Sequence, residues 1–193
     1  MHTLLTAVGK SKLKVTFFET PCAIWNTTGV TIAGTGVPGN SARQLSFPQN
    51  IFIRDKTKRL YVSDTFNNRI KIFPLDRSTT TVAGETGQKG PRADHLNEPQ
   101  GICADLTTQT VYMTDLINHR VQKWPKDAEE DVSVAGSSDG DPGSDAKSLD
   151  SPYGLRVDEE TKIFYVVDLL NHQTQRWKHG ENEGDTIAGG NDM

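Results

Sequence analysis

One pattern of short apolar segments occurs three times along the chain, in register, and that repetition restricts the fold more than any single residue does. The middle copy reads Leu96-Asn97-Glu98-Pro99-Gln100-Gly101-Ile102, then Val111-Tyr112-Met113-Thr114-Asp115, then Asn118-His119-Arg120-Val121-Gln122-Lys123-Trp124. The first copy places Pro48, Asp64 and Phe73 at the landmarks held by Pro99, Asp115 and Trp124, and the last copy places Pro152, Asp168 and Trp177 there. Each Pro precedes its Asp by 16 residues and each Asp its aromatic by 9, at a period of 51 and then 53 residues. Self-similarity at a period near 50 marks propellers and solenoids, in which one supersecondary unit is stacked on its neighbours.

Within each unit the residues read as four strands. Ile51 and Ile53, then Ile102 and Ala104, then Leu155 and Val157 alternate with other residues, the period-2 signature of a half-buried strand. A polar hairpin leads to a second strand carrying Tyr61, Tyr112 or Tyr165, and a tight turn holds Asn67, Asn118 or Asn171. The third strand ends on the aromatic. The fourth ends at the glycine of Thr81-Val82-Ala83-Gly84, Ser133-Val134-Ala135-Gly136 or Thr186-Ile187-Ala188-Gly189, with Val30-Thr31-Ile32-Ala33-Gly34 an earlier relative of the same strand. Four short antiparallel strands repeated in this way are the blade of a β-propeller, with the Gly-rich segments crossing from one blade to the next. Sliding the template back from Gly34 puts Trp25 at the aromatic position, with Ile24 and Cys22 where Ile72 and Ile70 stand, and Thr16 at the Asp position.

The pattern Pro-x-Gly-Ile, Tyr-Val-x-Asp and Asn-x-Arg-Val-x-Lys-Trp resembles the NHL repeat, and the resemblance covers roughly Trp25 to Gly190. It implies an all-β fold, an NHL-type β-propeller fragment of four-stranded antiparallel blades. The units divide as a partial, degenerate N-terminal blade at 1–34 and blades at 35–84, 85–136 and 137–193. A closed propeller takes about four to eight blades. Three and a half units therefore predict an open arc, either a fragment of a longer protein or a chain that closes its ring as a homodimer.

Recurrent positions read as architecture. Pro48, Pro99 and Pro152 stand just before the inner strand, where no ladder donor is needed. Gly101 and Gly154, with Asn50 as the equivalent in the first copy, predict a backbone position with positive φ. Asp64 and Asp115 precede Arg69 and Arg120 by five residues and read as a pair across the hairpin, buttressed by the turn Asn. Three equivalent acids are architecture, because an active site needs one set. In the last copy Gln173 replaces the Arg and Thr174 the apolar Ile70 or Val121, so Asp168 loses its cation and a looser hairpin is expected.

Chemistry-bearing sets are sparse. The net charge is -4 with 34% hydrophobic residues, an ordinary globular composition without the basicity of a general nucleic-acid surface. No apolar run approaches the ~18 residues of a membrane span. The first eight residues lack the basic start, apolar run and cleavage site of a signal peptide, and the sequon Asn26-Thr27-Thr28 matters only in an exported chain. Cys22 and Cys103 fall at unrelated points of the repeat and read as buried thiols. His119 and His172 share a repeat position. Peptidyl-amidating lyases, which share the propeller, bind zinc through histidines from several blades, but about three converging ligands are needed, and these two read as solvent-facing turn residues. Asp139, Asp141, Asp145 and Asp150 approximate a calcium-loop spacing without its sixth-place Gly or twelfth-place Glu. Arg54, Lys56, Lys58 and Arg59 form a basic cluster, and the NHL resemblance makes RNA a candidate because some tripartite-motif proteins bind RNA on a positive propeller face. The equivalent hairpins do not continue the charge that a phosphate track requires.

Strand alternation brings the turn after the second strand and the crossover before the first strand to one face. That face gathers Phe66, Asn67, Asn68, Ile117, Asn118, His119, Leu170, Asn171, His172 and Tyr153, and its apolar members suit protein or peptide recognition. The sequence thus points to a binding or scaffold module without catalytic residues, metal or cofactor. The alternatives are a piece of a lyase-like zinc enzyme and an RNA reader.

Overall fold

A computed structural model describes residues 3–7 and 13–17 as backbone and residues 29–54, 57–74, 78–105, 107–158 and 160–190 in full. Among these, fifteen strands form four antiparallel sheets. The first sheet holds β1 (Thr3–Ala7), β2 (Leu13–Phe17) and β3 (Thr31–Ala33). The second holds β4 (Pro48–Arg54), β5 (Arg59–Asp64), β6 (Arg69–Phe73) and β7 (Thr80–Ala83). The third holds β8 (Pro99–Ala104), β9 (Val111–Asp115), β10 (Arg120–Trp124) and β11 (Val132–Gly136). The fourth holds β12 (Pro152–Val157), β13 (Phe164–Asp168), β14 (Gln173–Trp177) and β15 (Gly184–Gly189). Within each full sheet the spatial order follows the chain, as in a meander. The sheets stack as the blades of an open β-propeller arc.

The repeat is also one of register. Pro48 lies opposite Asp64, Pro99 opposite Asp115 and Pro152 opposite Asp168. A bulge falls between Ile70 and Lys71, between Val121 and Gln122, and between Thr174 and Gln175. It leaves Val82, Val134 and Ile187 as the extra residue of the outer strand, which bends it away from the sheet. The first sheet has the same bulge between Leu13 and Lys14, and Leu13 lies opposite Ala33 as Ile70 lies opposite Ala83. Leu13 therefore occupies the place that the back-projected template assigned to Cys22, and Thr16 falls at the aromatic position rather than the Asp position. Cys22, Ile24 and Trp25 lie outside the described residues.

Alternation gives the third sheet a set of apolar side chains on each face, and the core is the set of seams between sheets. One seam joins Tyr61, Ile70 and Ala83 of the second sheet to Ile102, Val111, Met113 and Trp124 of the third. The next joins Cys103, Tyr112, Val121 and Ala135 to Val157, Phe164, Val166 and Trp177. Leu45, Leu96 and Leu149, one from each crossover, are fully buried and plug the seams. Burial of side chains this size contributes about 1.5–3 kcal/mol each, so the seams hold the arc together.

The glycine expectation is corrected. Gly101 and Gly154 do not have positive φ. Gly101 is required by proximity: a Cβ there would stand 2.5 Å from the Tyr153 carbonyl oxygen and 2.9 Å from the Leu155 nitrogen of the neighbouring inner strand. The left-handed positions fall elsewhere, at Asn68, His119 and His172 after the turn and at Phe47, Glu98 and Ser151 before the prolines.

Candidate binding face

Each four-residue link between the second and third strands closes on itself. Thr65–Asn67 and Leu116–Asn118 are single 3-10 turns, capped by the left-handed Asn68 and His119. Backbone bonds then tie the turn to the crossover: Phe66 donates to Ser46, Ile117 to Asn97 and Leu170 to Asp150, at 3.1–3.2 Å. Turns and crossovers therefore share one face of the arc.

Beneath that face lies a buried polar anchor. Asp64 accepts from Arg69 Nε at 2.7 Å, from Asn67 Nδ2 at 2.9 Å and from the Ser46 amide at 2.6 Å. Asp115 repeats the set with Arg120 at 2.9 Å, Asn118 at 2.7 Å and Asn97 at 2.6 Å. The guanidinium then reaches on, Arg69 to the carbonyls of Asn40, Ser41 and Gln44, and Arg120 to those of Pro91, Arg92 and His95. One charged group thus clamps the strand pair to the crossover, and every partner is satisfied, as a buried ion pair requires. In the fourth sheet Asp168 keeps Asn171 at 2.9 Å and the Asp150 amide at 2.7 Å. Gln173 at 2.8 Å and Gln175 at 3.3 Å take the place of the cation.

The ten residues placed on the face separate into two groups. Asn67, Asn68 and Asn118 are buried. Asn67 and Asn118 serve the anchor, and Asn68 Oδ1 accepts from the Glu98 amide of the next blade at 3.1 Å. His119 is a correction: it does not face solvent. Its side chain is only 15% exposed, and Nδ1 accepts from the Ser151 amide at 3.0 Å. Asn68 and His119, each following its turn Asn, are therefore latches that hold the positive-φ residue before the next Pro. Asn171 belongs with the anchor, and His172, at the latch position of the last described sheet, is exposed. Phe66, Ile117 and Leu170 are 52%, 44% and 57% exposed, and Tyr153 is exposed beside them. Phe66 stacks on Phe47 at 4.3 Å, and the Tyr153 hydroxyl donates to Gln49 Oε1 at 3.3 Å, across the inner strand of the third sheet. Gln100, which follows its Pro as Gln49 and Tyr153 follow theirs, is buried, and its Oε1 has no partner.

Other sets fare differently. His119 and His172 are not drawn to a common third ligand, and Asp139, Asp141, Asp145 and Asp150 do not converge. Asp150 contacts His119 and Ser151, and Asp145 holds the Lys147 amide. Among the described residues, Glu85, Asp94 and His95 bring ligand atoms within 4.8 Å of one another and could hold a metal ion, but Arg92 already holds Asp94 with two bonds of 3.1 Å. That trio was not legible, since none of it recurs. Of the basic hairpin, Arg54 lies opposite Arg59, and Lys56 is outside the described residues. The equivalent hairpins of the third and fourth sheets are joined by Lys162 Nζ to Asp105 at 2.6 Å. Burial opposes the Asp105 charge, but the Lys162 hydrogen bond and the Thr107 and Thr108 amides bring its carboxyl down to about 2.

No family model matches the chain. NHL repeat-containing protein 2 of Gallus gallus is 33% identical over 86 residues, 41% of this chain, and that of Bos taurus 33% over 91 residues, 44% of this chain. The chain spans 12% of the length of these relatives. Among solved structures, a nidogen/laminin complex aligns with 97% of this chain and 62% of its own at a TM-score of 0.70 and 17% identity. Streptogramin B lyase aligns with 91% of this chain and 47% of its own at 0.57 and 11%. Three in-register repeats and four stacked antiparallel sheets agree with these likenesses: the chain folds as β-propeller blades, and its repeats are similar to those of NHL repeat-containing proteins.

Proposed function

We propose that this chain is a non-enzymatic binding module whose turn face recognises a protein or peptide. The observation that carries the reading is the exposure of Phe66, Ile117 and Leu170, large apolar side chains held at one repeat position by a buried anchor that fixes the turn under each of them. Repeated exposed apolar groups on a rigid frame fit recognition better than solvation. A structural neighbour of this chain was solved within a nidogen/laminin complex.

The test is a triple variant, Phe66→Ala, Ile117→Ala and Leu170→Ala. Peptides selected from a random display library on the wild-type chain should lose at least tenfold in affinity for it, because buried apolar anchors carry most of an interface's energy. The circular dichroism spectrum and melting temperature should stay close to wild type. Unchanged peptide affinity in a folded variant would remove the turn face from consideration.

A further inference from the structure

Each crossover opens with the same small loop, and the three copies differ in what flanks its centre. Gly36, Gly87 and Gly140 stand at one repeat position, all with positive φ, at 88°, 77° and 84°. Gly87 donates its amide to the Asn67 carbonyl at 3.1 Å. Gly140 lies against the turn of the third sheet: a Cβ there would stand 3.8 Å from the Asn118 Cα and 3.2 Å from the Pro91 Cβ. The loop is therefore seated on the turn whose exposed residue is Phe66 in the second sheet and Ile117 in the third. Its flanks are Thr35 and Val37, then Thr86 and Gln88, then Asp139 and Asp141. What recurs is the glycine, which the left-handed backbone favours. The acids are absent from the other copies, so the frame does not require them.

Both acids are exposed, and neither makes an ion pair among the described residues. The Asp141 carboxylate accepts no hydrogen bond among them, and that of Asp139 only one of 3.4 Å from Ser138 Oγ. Bases of the neighbouring segments are engaged elsewhere, Arg92 with Asp94 and Lys147 with Glu183. The 137–151 crossover carries four acids against one base, and the chain's net charge of -4 adds to its field. Two unneutralised carboxylates thus border Ile117, an apolar side chain that is 44% exposed. Asp139 and Asp141 are each one Cα step, about 3.8 Å, from Gly140, as Ile117 is from Asn118. An extended segment advancing about 3.3 Å per residue spans that patch with an apolar residue on Ile117 and a cation one to three residues away.

We propose that the Ile117 turn and the Asp139–Asp141 loop together form a docking site for a basic, extended protein segment, in which an apolar side chain covers Ile117 and a nearby Lys or Arg pairs with the two carboxylates. This site deepens the turn-face reading on which it rests, by fixing the charge of the partner. Apolar contact supplies most of the affinity. The exposed carboxylates set partner choice and encounter rate, so binding weakens as salt rises. The loop around Gly87 carries Glu85 and Lys89 and is neutral, which confines the preference to the turn of the third sheet.

The experiment is fluorescence anisotropy on the whole chain with three labelled peptides of equal length, in which leucine and phenylalanine alternate with lysine, with glutamate or with serine. The lysine peptide should bind about tenfold more tightly than the serine peptide, and the glutamate peptide most weakly. In the double variant Asp139→Asn, Asp141→Asn the lysine preference should fall to about twofold, and in Asp139→Lys, Asp141→Lys it should reverse in favour of glutamate. Both loop residues are exposed, and melting curves check that each variant is folded. The proposal is overturned by equal binding of the lysine and glutamate peptides to the wild-type chain, or by no binding of the lysine peptide at millimolar concentration. A lysine preference that survives Asp139→Lys, Asp141→Lys overturns it too. Ile117→Ala separates this site from the reading beneath it. Peptides that weaken with Ile117→Ala but ignore both acids leave the turn face standing and overturn only the basic partner, whereas peptides indifferent to Ile117→Ala overturn both.

Discussion

The third and fourth sheets share a frame and differ in what completes it. Both pair Pro with Asp, both place the bulge at the same point of the third strand, and both hang the turn Asn on the buried Asp. In the third sheet Arg120 adds a charge that reaches three crossover carbonyls. In the fourth, Gln173 bonds Asp168 and accepts from Thr186 Oγ1 at 2.6 Å, staying within its own sheet. Tyr112 is sealed by the fourth sheet, and Tyr165, at the same register position of the fourth sheet, is partly open. The repeated residues thus specify the strand register, whereas burial and charge are set by whatever stands next to each sheet.

The sharpest way to break this comparison is to give the third sheet the fourth sheet's anchor. Arg120→Gln should destabilise by about 3–5 kcal/mol, because it leaves Asp115 buried without its cation and frees the Pro91, Arg92 and His95 carbonyls. Urea denaturation measures it. The reciprocal change, Gln173→Arg, should stabilise by much less, since the site is partly open. Hydrogen exchange should show faster opening of Gln173–Trp177 than of Arg120–Trp124 in the wild-type chain.

A second difference lies at the entry to the outer strand. Asp131 is 8% exposed, its Oδ2 lacks a partner, and burial pushes its carboxyl up from the ordinary 3.8 to about 7. Gly184 stands at the same register position in the fourth sheet, opposite Trp177. Between about pH 4 and pH 7 the folded state keeps a proton that the unfolded chain has released. Stability contributed there is full below pH 4 and lost as the pH rises to 7. Asp131→Asn should remove that slope and raise stability at pH 8 by roughly 3 kcal/mol, as read from melts across the pH range.

The blade architecture was legible because periodicity needs only spacing: Pro, Asp and the aromatic recur at fixed intervals whatever surrounds them. The Asp–Asn–Arg anchor was legible for the same reason. The latch was not, because Asn68 and His119 act on the next blade, and two different side chains fill one role. Gly101 was misread because a glycine required by a neighbouring backbone looks, in sequence, like one required by its own φ. The Lys162–Asp105 bridge and the Glu85–Asp94–His95 trio were invisible, since neither recurs in the other copies.

The second sheet supplies a third contrast. Lys71 occupies the position of Gln122 and Gln175, and like them it is buried. Burial, aided by Arg69, lowers its ammonium from 10.5 to about 8, against the pull of Asp64. A lowered lysine weakens the folded state below pH 8, and stability rises as the pH climbs from about 8 toward 10.5, where the unfolded chain still holds the proton. Lys71→Gln, which imports the residue of the other copies, should stabilise by about 2 kcal/mol at pH 7 and flatten that rise.

The latch gives the smallest effect and the finest test of the comparison. His119 and Asn68 perform one task, holding the amide of a positive-φ residue before a proline. If the task is only to accept a hydrogen bond, His119→Asn should leave stability within ~0.5 kcal/mol of wild type, whereas His119→Ala should cost about 1 kcal/mol by stranding the Ser151 amide. His172, exposed at the same repeat position, should tolerate either change. Equal losses for alanine at 119 and 172 would mean that the two sheets differ in less than their neighbours suggest, and that the bond between His119 and Ser151 adds nothing to the junction it spans.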